Sequence, residues 1–152
     1  MNAKFEDIIN QFSDLMQQLA NSPLRQRNSL GDIPNKGIYV FYENNKPIYV
    51  GRSNRMKDRI QEHGRKSSYH NSATFAFILA KEIANEQGID INKNRDALES
   101  DSTFRNIFLE QKERVSIMNV RVIEINGPIT QTIFEVYVSM ELNTEYNDFD
   151  TH

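Results

Sequence analysis

Residues 37–53 read GIYVFYENNKPIYVGRS. Two apolar runs, residues 37–42 and 46–51, flank Glu43-Asn44-Asn45. Asparagine tolerates the left-handed backbone of a tight turn, so the stretch predicts a β-hairpin. A three-residue loop over residues 43–45 sets Tyr42 opposite Lys46 and, counting back, Tyr39 opposite Tyr49. Side chains alternate along strands. Both tyrosines then share one face, while Ile38, Val40, Ile48 and Val50 share the core face. A two-residue loop would shift the register and separate the tyrosines. Tyrosine is also an ordinary strand residue, so the hairpin alone is equally a piece of scaffold.

Working outward, Ser53 or Asn54 caps a helix running to about His63, with Gly64 as its stop. Arg59 and His63 stand four apart, on one helical face, and Met56 and Ile60 hold the other side to the sheet. A solvated face of Arg, Gln, Glu and His is the plainer reading of the same spacing. Upstream, Phe5, Ile8, Ile9, Phe12, Leu15, Met16 and Leu19 recur at helical spacing and predict one amphipathic helix over residues 4–20. Residues 29–36 read as a connecting loop. Downstream come a polar loop (65–72), a helix over 73–87, an irregular stretch at 89–100 and a helix from Ser102 or Thr103 to about Ser116. A third strand follows at 120–125, then a helix over 130–142 and an acidic tail. This order predicts one α+β domain, with a small central antiparallel three-stranded sheet flanked by helices.

The chain has 152 residues, 38% hydrophobic and 26% charged, enough for one core. Its longest apolar run, TFAFILA at residues 74–80, is too short to span a bilayer. Acids interrupt the first apolar stretch, unlike a secretion signal, so the cytoplasm is the default. Without cysteine, disulfides, zinc ribbons and a thiol nucleophile are excluded. The net charge is −3 but unevenly spread. Residues 46–66 hold seven Lys/Arg against two Asp/Glu, whereas residues 135–152 hold five acids and no Lys or Arg. Such polarity suits an anionic substrate at one end of an acidic molecule, or ordinary surface scatter.

Glu135 lies within IFEVYV, where the helix is apolar on nearly every side. A buried carboxylate needs a cation or hydrogen-bond donors. A divalent metal would serve, and so would a salt bridge to Arg59 or Arg121.

Taken in order, these residues resemble the GIY-YIG nucleases, whose name quotes the two strand motifs. Here they read Gly37-Ile38-Tyr39 and Tyr49-Val50-Gly51. The family's arginine falls on Arg59, its histidine or tyrosine four residues on falls on His63, its metal-binding glutamate on Glu135, and its late asparagine on Asn147 within Tyr146-Asn147. The gap from His63 to Glu135 exceeds that of compact members. The resemblance therefore implies a core over residues 37–147 with a helical insertion at about 65–116, preceded by an N-terminal helix and linker in residues 1–30.

What the resemblance implies is metal-dependent hydrolysis of DNA phosphodiester bonds, with catalytic residues Tyr39, Tyr49, Arg59, His63, Glu135 and Asn147 converging on one pocket. Glu135 would hold Mg²⁺ or Mn²⁺, Arg59 would clamp the phosphate, and Tyr39 or His63 would take the proton. Asn147 would brace the site, and His70 either adds a phosphate contact or is a surface histidine. A binding or assembly domain of the same fold without catalysis is the alternative. Targeting falls to the N-terminal helix, the inserted helices, a homodimer or a separate subunit, and no membrane is involved.

Overall fold

The computed structural model describes residues 1–149; Asp150, Thr151 and His152, with the last acid of the tail, lie outside the described residues. The chain divides into two compact units, one of residues 1–57 and 119 onward, the other of residues 58–118.

The first unit carries the sheet. Its helices are α1 (Ala3–Ile9), α2 (Phe12–Asn21) and α7 (Pro128–Leu142), and its strands β1 (Arg25–Gln26), β2 (Gly37–Glu43), β3 (Lys46–Ser53) and β4 (Asn119–Glu124). The strands run antiparallel in the order β1-β4-β2-β3. The architecture is α+β as the sequence implies, with four strands rather than three. β1 escapes the sequence because two polar residues carry no alternation, and Arg25 and Gln26 simply pair with Val120 and Asn119.

The hairpin departs from the three-residue loop. Asn44 and Asn45 alone form the turn, at φ 52° and 64°, and Glu43 pairs with Lys46. Two successive left-handed residues are the mirror-image turn whose twist matches that of the strands. Continued in perfect register, this turn would put Tyr39 and Tyr49 on opposite faces. A β-bulge intervenes: Tyr42 pairs with Pro47 but Phe41 with Tyr49, leaving Ile48 as the extra residue. The bulge adjoins Pro47, which has no N–H to give the ladder. One skipped residue restores the shared face, now with Tyr39 opposite Gly51 and Tyr49 opposite Phe41.

Ile38, Val40, Val50 and Ile123 point to the other face and pack with Ile8, Phe12, Leu19, Phe134 and Val138 of α1, α2 and α7. Ile48, expected among them, is buried but out of step at the bulge. Phe12 anchors this layer, with its ring 5.2 Å from that of Phe134. The predicted single N-terminal helix is broken at Asn10-Gln11. Gln11 Nε2 donates to the Asp7 carbonyl at 3.1 Å, the acceptor that its own backbone amide would use in an unbroken helix. That amide bonds Ile8 O instead, and α2 restarts with Leu15 N on Gln11 O.

The second unit is helical. It takes most of α3 (Met56–His63) and all of α4 (Thr74–Glu86), α5 (Arg95–Ser100) and α6 (Ser102–Ser116). Phe77 of α4 meets Phe104 and Phe108 of α6 edge-on, at 5.3 and 5.4 Å. α5 lies in the stretch expected to be irregular. Its six residues are too few for a helical period, but Asn94 caps it by accepting from Ala97 N at 2.8 Å, and Leu98 is buried. No helix among the described residues is long and apolar enough to cross a membrane.

Candidate active site

The two glycines of the hairpin are fixed by close approach rather than by turn geometry. A Cβ on Gly37 would lie 1.9 Å from the Ile123 carbonyl oxygen of β4. A Cβ on Gly51 would lie 2.3 Å from both Cζ and Oη of Tyr39. The Tyr39 phenol therefore lies flat across β3, the edge strand of the sheet, in the space that glycine vacates. Phe41 stands edge-on to it at 5.8 Å, and Tyr39 is 1% exposed. Tyr49, on the same face, is half-buried.

Asn147 reaches β3 from outside the sheet. Val50 N donates to its Oδ1 at 2.7 Å, and its Nδ2 donates to Val50 O at 2.8 Å. The side-chain amide thus stands in for a neighbouring strand. Tyr146 N adds a bond to Ile48 O at 3.2 Å, at the bulge. Unpaired edge groups are satisfied, each bond contributing about 1 kcal/mol. Asn147 holds the backbone of the second motif, which is a bracing position.

Glu135 comes from α7, on the Ile38–Val40 side of the sheet. One turn earlier, the buried Gln131 donates from Nε2 to Ile125 O at 2.6 Å and to Asn54 Oδ1 at 3.1 Å. These bonds tie α7 to the loop that leaves β3. Glu135 faces Arg52 Nε at 3.9 Å, with the carboxylate side chain 20% exposed. Burial raises its pKa above the ordinary carboxylate value, and the Arg52 charge offsets part of that rise. The partner is neither Arg59 nor Arg121. Arg121 donates to the Ser22 carbonyl and lies over the Tyr42 ring. Arg52 could have been found by alternation, since it stands two residues beyond Val50 and must share its face.

The phenols and the carboxylate thus lie on opposite faces of the sheet, not on one side. They meet the edge strand at consecutive residues, Tyr39 over Gly51 and Glu135 beside Arg52.

In the helical unit, Arg59 Nη1 donates to Ser72 O and its Nη2 to Thr74 Oγ1 at 3.0 Å, with Glu62 at 3.4 Å. His63 is fully buried. The solvated face is therefore overturned: this side of α3 is packed and hydrogen-bonded. His70 is not an ordinary surface histidine either, because its Nδ1 bonds Glu99 Oε1 at 2.7 Å.

Residues 35–114, more than half of the chain, match the family profile of the GIY-YIG catalytic domain. The chain belongs to this family, which is one of nucleases. The matched segment holds Tyr39, Tyr49, Arg59 and His63 and ends before Glu135 and Asn147. A comparison with curated proteins returns no match.

Gly51→Ala should destabilise the chain by about 1–3 kcal/mol in urea unfolding, because the buried Tyr39 ring must move. In a Tyr39→Ala background the same change should cost less than half as much, and equal costs would contradict the contact. In the metal-free chain, NMR titration should place the Glu135 carboxyl above the ordinary range, and Arg52→Ala should raise it further. Glu135 contributes most to stability below the unfolded carboxyl pKa, and loses that contribution as pH rises through the higher folded value. Glu135→Gln should flatten this part of the pH–stability curve.

Proposed function

We propose that the protein is a metal-dependent endonuclease that hydrolyses DNA phosphodiester bonds at the β3 edge of its sheet. The observation that carries the reading is the conjunction at Gly51 and Arg52: a phenol laid across the edge strand and a desolvated carboxylate beside it.

Among the described residues, no three His, Asp or Glu side chains gather as a metal cluster. In this reading Glu135 would be the single carboxylate ligand. That fits a hard cation such as Mg²⁺ or Mn²⁺, which keeps several waters and takes one or two carboxylates. When bound, such an ion supplies charge neutralisation and a more acidic water.

The other residues position and exchange protons. Tyr49, half-open, orients the phosphate or the attacking water. Arg59 clamps non-bridging oxygens, its guanidinium held in a fixed pose by Ser72 O and Thr74 Oγ1. Tyr39 and His63 are both sealed from bulk water. Either one takes the proton of the attacking water, and the shape of the pH–rate profile after Tyr39→Phe and after His63→Gln separates them. Arg52, 43% exposed, balances Glu135 in the metal-free chain.

Glu135→Ala should lower Mg²⁺-dependent nicking of supercoiled plasmid by about 10³-fold or more, with an unchanged circular dichroism spectrum. Wild-type nicking by this variant would remove Glu135 from the site. A wild-type protein that binds DNA but nicks none of it, with or without Mg²⁺, would leave a binding domain instead.

A further inference from the structure

The helical unit carries a cavity of its own, about 820 Å³, between the polar loop after α3 and helices α5 and α6. At its wall Lys112 is buried, yet its ammonium donates to Lys66 O at 2.6 Å and Ser68 O at 2.9 Å. It also lies 4.3 Å from the centre of the Phe108 ring. These contacts hold the loop in place from beneath. The next residue, Tyr69, is 70% exposed at the rim. An aromatic ring standing in water beside a cation-backed loop leaves its face open to a planar ligand.

The charges of the cavity are arranged to accept an anion in spite of its two acids. Glu99 is occupied by the His70 backbone amide and by His70 Nδ1. Asp96 stands 3.9 Å from His70 Nε2. Of the three Lys and Arg in the lining, Lys112 is engaged by the loop carbonyls and Lys66 has a surface pair to Glu113, while Arg105 stands exposed at the mouth. Asn71 in the lining offers both a donor and an acceptor to a base edge.

We propose that this cavity binds one nucleotide unit of a single-stranded nucleic acid, with the base stacked on Tyr69 and its phosphate on Arg105. A sequence-tolerant strand site needs these two parts, an aromatic face and a nearby cation. The choice of a nucleic acid as ligand rests on the nuclease reading; the cavity and its chemistry do not.

The chain contains no tryptophan. Tyr69→Trp therefore places a single indole at the rim and keeps the aromatic face. In EDTA, a 12-nucleotide oligothymidylate should quench its emission, and the midpoint of quenching should match binding measured by fluorescence anisotropy of a labelled strand. Tyr69→Ala should weaken strand binding by about fivefold or more, and Arg105→Ala should lower the salt slope by about one. Both positions are exposed, so circular dichroism should be unchanged. Unquenched indole while the strand is bound, or unaltered affinity in both alanine variants, would overturn the proposal. Free thymidine monophosphate competing as tightly as the strand would also overturn it, in favour of a free nucleotide. A protein that fails to nick plasmid but still shows Tyr69-dependent quenching would sink the nuclease reading and leave this site standing.

Discussion

Tyr39 can lie across the edge of the sheet only because Gly51 presents no side chain beneath it, and Gly51 is opposite Tyr39 only because Ile48 is skipped. The bulge is therefore the constraint on which the rest depends. A regular ladder from the Asn44-Asn45 turn would send Tyr49 to the other face and set Val50, not Gly51, against the phenol. A valine there would collide with the ring. The two glycines make room for different groups, Gly37 for the β4 backbone and Gly51 for the phenol. The tail then fixes the bulged strand from outside, through Tyr146 N on Ile48 O and the Asn147 amide on Val50.

The same edge strand is where the second face of the sheet enters the proposed site. Glu135 belongs to a helix whose neighbouring residues build the core, Phe134 on one side and Val138 a turn later. Its carboxyl leaves that core beside Arg52, so it is neither free in solvent nor sealed in hydrocarbon. Burial is what raises its pKa, and the Arg52 charge offsets part of that rise. Gln131, bonded to both Ile125 O and Asn54 Oδ1, sets the distance of this helix from the end of β3.

Much of this was legible in the residues. The alternation of the hairpin, the helical periods and the ordered motif positions define the α+β class and the family. Other features had no sequence signal of sufficient length. β1 is two residues of backbone pairing, and α5 is a capped turn and a half. The break between α1 and α2 depends on which donor, backbone or side chain, wins the Asp7 carbonyl. The bulge was hidden for a different reason: register is an outcome of turn type and proline together, and either alone predicts the wrong partner for Tyr39. The apolar setting of Glu135 signals a buried carboxylate in need of a countercharge, and strand alternation places Arg52, rather than Arg59 or Arg121, on its face of the sheet.

The central claim is that the edge of β3 is a cation-dependent reaction centre approached from both faces of the sheet. Anomalous diffraction from crystals of the wild-type chain soaked in Mn²⁺ tests it most directly. A manganese peak about 2 Å from a Glu135 carboxylate oxygen, at the β3 edge, is the predicted result. Manganese ordered elsewhere on the molecule, with the Glu135–Arg52 pair intact and no metal beside it, would contradict it.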